Sequence, residues 1–291
     1  MTEKESKPAT KESDTFKFQM IYLAPILASI LFGLVCGALL LPQQVPVVPV
    51  TPVPTDTPGA DWITAAYFVV LVGVSATMFY FLLKRRSKRV IKALITLAFT
   101  LAALLLAYEY LVALTVYVPF LANWLIIIPL MILFTVLFDL AIFRLGSVYR
   151  NAAVILMGGA LGMFFGYNVT ILSLWSAVLI LVFLAVYDIF AVYKGSVGKI
   201  AQNGLDELQG LTYAFKDIQM GLGDLVFYSM LVGAMVFGFQ SSFIPAIASI
   251  IGITAGSIIT FYMLEKKGIF PGLPFPIMLG LILGLTTGFL L

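Results

Sequence analysis

Histidine is absent from this chain, and Cys36 is its only cysteine. Each shortage removes a chemistry. A zinc-dependent membrane protease needs imidazole ligands, typically two on one helical face, and a serine protease needs a base for its serine, usually histidine. Neither can be assembled here. Cys36 lies in an apolar run beside Gly33 and Gly37 and, with no histidine partner, reads as packing rather than as a nucleophile. Charge is scarce too. Only 11% of the 291 residues are charged against 62% hydrophobic, more apolar surface than a soluble domain of this length can bury, so the bilayer is the expected solvent. The balance of 17 basic and 14 acidic residues leaves +3, too small and too dispersed for a nucleic-acid-binding face. Nothing in the residues calls for a cofactor or a metal.

What is there is a succession of long apolar runs. Residues 1–16 are polar and mixed in charge and read as a disordered cytoplasmic tail, followed by one transmembrane domain over 17–291. The first span runs from Phe18 to Leu41, too long for a removable signal peptide. Recurrent prolines from Pro42 onward make 42–61 an extended outside loop. Runs able to cross about 30 Å of hydrocarbon follow at 62–83, 90–115 and 119–143. Shorter or weaker ones lie at 151–167, 170–193, 221–239, 243–264 and 270–291. The count is nine, in an all-α membrane protein.

Basic residues test that count, because Lys and Arg gather on the cytoplasmic side. Four lysines precede span one; Lys84, Arg85, Arg86, Lys88, Arg89 and Lys92 fall at the junction of spans two and three; Arg144 and Arg150 separate four from five. Lys194, Lys199 and Lys216 lie in the 194–219 loop between six and seven, and Lys266 and Lys267 between eight and nine. Nine spans put all 17 on one side, with the amino terminus cytoplasmic and the carboxyl terminus outside. No period of 20 to 50 residues supports a duplicated transporter fold. Glycines at four-residue spacing, Gly158, Gly162 and Gly166 and then Gly280, Gly284 and Gly288, suit close helix packing.

Four carboxylates fall inside spans, where each costs roughly 2.5 kcal/mol or more at the bilayer centre. Asp139, near Arg144, reads as an interfacial acid partly in water. Glu109, between Tyr108 and Tyr110, reads either as a hydrogen-bonded structural acid or as something functional. Asp188 and Asp224 are related by topology. One lies six residues before Lys194 and the other seven after Asp217, so two consecutive antiparallel spans carry carboxylates at one depth, on the order of 10 Å inside the boundary. Like charges that close favour a state in which one proton is shared. An aspartic protease uses that state: the ionised acid takes a proton from water as it attacks the carbonyl, and the neutral acid protonates the carbonyl oxygen. A buried polar contact that locks helices, or a proton or cation relay in a transporter or channel, fits the spacing as well. Gly221 and Gly223 leave bare backbone before Asp224. Pro271 and Pro274 remove donors where span nine opens, leaving backbone against which an extended peptide can pair as an added strand.

The Tyr187-Asp188 pair, the run Gly221, Leu222, Gly223, Asp224 and the run Pro271, Gly272, Leu273, Pro274, in that order on spans six, seven and nine, resemble the presenilin and signal peptide peptidase family. The resemblance covers nearly the whole chain. It implies a GxGD-type intramembrane aspartyl protease at the cell membrane, with Asp188 and Asp224 as the catalytic pair and the Tyr187, glycine and proline motifs shaping the site. Its partners would be transmembrane segments of membrane-protein substrates, with a second copy of the chain as a further candidate. A cytoplasmic amino terminus resembles presenilins rather than signal peptide peptidases, which run the other way. The third motif departs from the family's usual Pro-Ala-Leu by carrying Gly272. The 194–219 loop is short for a presenilin, similar to archaeal or bacterial members that work without partner subunits. Within it Leu205, Leu208, Leu211, Phe215 and Ile218 form a partly amphipathic stretch, read as a membrane-surface gate or as an ordinary connection. Asn168, Val169 and Thr170 form a glycosylation sequon, expected on an outside loop and too near the helix ends to be modified.

Overall fold

The computed structural model describes residues 18–41, 52–54, 57–85, 88–193, 212–215, 218–239 and 243–290. Among them are nine α-helices. The first six are α1 (Ala24–Leu40), α2 (Ala60–Lys84), α3 (Lys88–Leu114), α4 (Trp124–Phe143), α5 (Ser147–Leu172) and α6 (Leu174–Tyr193). A two-stranded hairpin follows, β1 (Thr212–Phe215) and β2 (Ile218–Gly221), and then α7 (Leu222–Gly238), α8 (Phe243–Lys267) and α9 (Pro274–Leu290). The tail 1–16, most of the proline-rich loop and the greater part of 194–219 lie outside the described residues.

Seven of these helices are long and apolar enough to cross a membrane, α1 together with the 3-10 turn Met20–Leu23 that leads into it, and the chain is a multi-pass integral membrane protein. The other two, α7 and α9, are apolar but have 17 residues each, about 25 Å at 1.5 Å per residue. Both shortened helices begin at a sequence motif. α7 starts where β2 stops at Gly221, and α9 starts at Pro274, whose missing N–H is no loss in a first turn.

Local chemistry explains the breaks. Gly268, at φ 74°, takes the left-handed conformation that ends α8, and its N–H returns to the Leu264 carbonyl at 2.8 Å. Between α3 and α4 the expected span beginning at 119 starts later. Pro119–Ala122 form a 3-10 turn, and the Asn123 side chain then caps α4 by accepting from the Leu125 N–H at 3.0 Å.

α7 is the centre of the molecule. Its buried residues run almost without interruption from Leu225 to Val236, the pattern of a helix enclosed on all sides. It packs most extensively on α5 and also touches α1, α6, α8 and α9. Gly162 sets the α5 crossing, since a Cβ there would run into the Val226 carbonyl and lie 2.6 Å from the Ser229 Cβ. Gly256 does the same between α8 and α9, where a Cβ would come within 2.5 Å of the Pro276 backbone. On Gly280 of the second glycine run a Cβ would stand 2.6 Å from Leu231 Cδ2 and 2.9 Å from Ile253 Cγ1, so both four-residue spacings act in packing, as expected. α2 and α4 lie at the periphery and show most of their apolar surface outward.

Of the 205–218 stretch, read as a gate or a connection, Leu205, Leu208 and Leu211 lie outside the described residues, while Phe215 pairs with Ile218 across the hairpin. The fold is all-helical apart from this one small antiparallel sheet. One expectation needs correction. Asn168 is inside α5, not on a loop. It is 1% exposed and donates from Nδ2 to the Phe164 carbonyl at 3.0 Å, so the sequon is sealed in the core.

Candidate active site

Asp188 lies five residues before the end of α6, and Asp224 is the third residue of α7. The backbone leading into α9 runs between them. Leu273 donates its N–H to Asp188 Oδ2 at 3.0 Å, and the Gly272 N–H is turned to the same carboxylate. On its other side Gly272 faces Asp224: a Cβ at this position would stand 3.1 Å from Oδ2, 3.3 Å from Cγ and 3.4 Å from Oδ1. Gly272 is thus the wall the two acids share. An alanine methyl there would have to push the Asp224 carboxylate aside by a few tenths of an ångström, which gives a physical reason for glycine where alanine was expected.

Asp224 is set by its own helix start. Gly221 is the residue before the first turn, in extended conformation with φ −68° and ψ 142°. The Asp224 carboxylate reaches back to the Gly221 N–H, half of a capping box in which the third helical residue serves the cap's donor. One turn later Tyr228 donates its hydroxyl to the Gly272 carbonyl at 3.0 Å. That clamp ties α7 to the same dipeptide. Tyr228 was not singled out in the sequence, although its four-residue spacing from Asp224 puts both on one helix face.

The remaining motif residues have different surroundings. Gly223 is exposed, and a Cβ on it would meet nothing closer than Phe227 at 3.7 Å; on Gly221 the nearest atoms would be 3.9 Å away. Packing among the described residues does not demand either glycine. Leu222 is half-buried against the core, Pro271 and Leu273 are buried, and Pro274 begins α9. Tyr187 does not face Asp224. It lines an open groove between α2 and α6 with Val70, Gly73, Val74, Thr77, Met78 and Phe81.

The other two intramembrane acids stand apart from this site. Asp139 accepts from Thr100 Oγ1 at 2.7 Å, joining α4 to α3, and its second oxygen is buried. That bond lies four residues before the end of α4, toward Arg144. Glu109 is 4% exposed in the neighbourhood of Tyr110 and Tyr167.

The fold defines the class. Over 93% of this chain and 100% of its counterpart, the structure superposes on "a presenilin family intramembrane aspartate protease" with a TM-score of 0.66 at 20% sequence identity. That likeness is one of fold. In sequence, the presenilin family model matches residues 198–291, the segment that holds the hairpin, Asp224 and the proline motif. Presenilin-B of Dictyostelium discoideum is 27% identical over 161 residues, which are 51% of this chain and 33% of that protein, so the match spans a third of the relative's length. The resemblance to presenilins read from the short motifs is borne out.

Proposed function

We propose that the chain is an intramembrane aspartyl endopeptidase that hydrolyses peptide bonds within transmembrane helices, with Asp188 and Asp224 as the catalytic pair and water as the nucleophile. One observation carries this reading: carboxylates from two different helices meet the same dipeptide, Gly272-Leu273, at the place where two shortened helices begin.

The chemistry follows from sharing one proton between the acids. The ionised carboxylate removes a proton from water while the water oxygen bonds to the scissile carbonyl carbon. The neutral carboxyl protonates the carbonyl oxygen, and the roles reverse as the amine departs. The Gly272 and Leu273 amides hold Asp188 in place throughout.

A helix has to be unwound before its amides can be reached, and three features favour an extended segment here. The hairpin's antiparallel strands pair only with each other among the described residues, so they offer free edges immediately before Asp224. Gly221 and Gly223 leave room that no side chain among the described residues fills. The open groove beside Tyr187 leads between α2 and α6, and α2 is the least buried span. In this reading residues 17–291 form a single protease domain of nine crossings, with the amino terminus cytoplasmic, the carboxyl terminus outside and the 194–219 loop on the same side as the acids. A second copy of the chain is a candidate partner alongside the substrate helices.

The test is cleavage of a single-span substrate by the purified protein in detergent, with products identified by mass spectrometry. Asp188→Asn and Asp224→Asn should each abolish the products while leaving the folded protein intact; cleavage surviving in either variant removes the proposal.

A further inference from the structure

Beside Asp224 lies a cavity of about 110 Å³ bounded by Asp224, Tyr228, Ser257, Thr260 and Gly272 and, over most of its wall, by apolar side chains. Ser257 and Thr260 are three residues apart on α8 and so share one face. They are 2% and 6% exposed. Among the described residues neither hydroxyl completes a hydrogen bond, although the Tyr228 hydroxyl stands close to that of Ser257.

Ser29, Thr170 and Ser229 are likewise buried without partners among the described residues, but Ser257 and Thr260 are so beside a carboxylate. A Ser or Thr in an apolar helix ordinarily returns its hydroxyl to a carbonyl one turn back. Thr77, Thr135, Thr286 and Thr287 all do so, and Thr254 on α8 itself reaches the Ile250 carbonyl at 2.7 Å. Thr260 does not, and faces instead a space it shares with a carboxylate. Buried hydroxyls left without partners are costly, and a cavity several times larger than one water needs, with four polar groups set in a largely apolar wall, gives internal water the partners it requires.

We propose that this cavity is a water site annexed to Asp224: Ser257 and Thr260, with Tyr228, hold a small cluster of waters against its carboxylate. The inference rests on the protease reading and gives its water a source. Each cleavage consumes one water, whose hydroxyl joins the carbonyl carbon and whose remaining proton ends on the departing amine as the C–N bond breaks. A resident cluster keeps the nucleophile at hand beside the acid. Ser257 and Thr260 are positioning residues, since they act through the water and touch no substrate.

The experiment replaces hydroxyls while keeping shape. Thr260→Val combined with Ser257→Ala should lower kcat at least about tenfold with KM and the cut position unchanged, and Thr260→Ser should keep most of the wild-type rate. An experimental structure that shows ordered water should have density bridging Thr260 Oγ1 and Asp224, absent in Thr260→Val. A double variant with wild-type kcat, or a dry cavity in the wild type, overturns the proposal. So does a raised KM or a shifted cut position with kcat intact, which would make the cavity a pocket for a substrate side chain. Loss of the protease reading itself is recognised separately, by cleavage that survives Asp188→Asn. The water density decides the site in either case.

Discussion

The Leu273 amide donates to Asp188 Oδ2 over 3.0 Å, so the acid near the carboxyl end of α6 is held by the backbone that opens α9. The bond does not need the charge on Asp188, because an asparagine oxygen would accept it equally. Asp188→Asn should therefore fold and unfold like the wild type, within about 1 kcal/mol, while cleavage falls by at least about 10²-fold with the loss of acid–base chemistry. Thermal unfolding in detergent and the mass-spectrometric assay, run on one preparation, separate the two effects. Because a single proton is shared, the wild-type rate should also fall toward both acid and alkaline pH, giving one maximum.

Gly272→Ala adds a methyl 3.1 to 3.4 Å from three atoms of the Asp224 carboxylate. The side chain can turn, so the protein should fold. The displaced acid should slow kcat by roughly tenfold, a fraction of the 10² that a full ångström can cost, with KM unchanged. Gly272→Val has no such escape and should be inactive. Wild-type kcat in the alanine variant would show that the contact yields freely and that glycine has some other reason.

Glu109 and Asp139 distinguish a protease from a relay. Glu109 is buried and Asp139 is half-buried and bonded to Thr100, both at places separate from the Gly272-Leu273 wall. Glu109→Gln and Asp139→Asn should leave cleavage within about twofold of wild type. Proton or cation flux in liposomes that vanishes in either variant would instead favour a transporter or channel.

Gly162→Ala tests the scaffold. A single methyl there runs into the Val226 carbonyl, forcing α5 and α7 apart at about 1–3 kcal/mol, the range for overpacking. Gly73 on α2 has nothing within 4 Å of a built Cβ, so Gly73→Ala should hold or slightly raise stability. Thermal unfolding of the two variants side by side should show a marked loss in the first alone.

Much of the helical plan was legible because hydrocarbon allows few alternatives: an unbroken apolar run has to close its backbone hydrogen bonds within itself. Spans one to three start and stop within a few residues of their helices. Span four began too early, since Pro119 and Phe120 are apolar enough to continue the run while the chain turns in a 3-10 loop and restarts at the Asn123 cap. The hairpin escaped notice for another reason. Leucines and aromatics three or four apart read as one face of a helix, whereas a strand's identity rests on what it pairs with, and four-residue strands carry almost no period of their own. Asn168 was placed on a loop because α5 was drawn too short.

At the candidate site, Asp188 and Asp224 could be found because acids in apolar runs are conspicuous and their common depth is a matter of counting residues. Tyr228, Ser257 and Thr260 could not, since a tyrosine or a hydroxyl within a span draws no attention until its neighbours are known.

Composition and the order of apolar runs alone determined that this chain lives in a bilayer as a bundle of helices, and that two carboxylates lie at one level on successive helices, because depth along a membrane normal is a one-dimensional quantity. Lateral position is not. Only packing decided that α9 slides its Gly272-Leu273 backbone between those acids, that Tyr187 turns away toward α2, and that two hydroxyls of α8 face Asp224. Those placements depend on where glycines let backbones meet, at contacts between residues far apart in the chain.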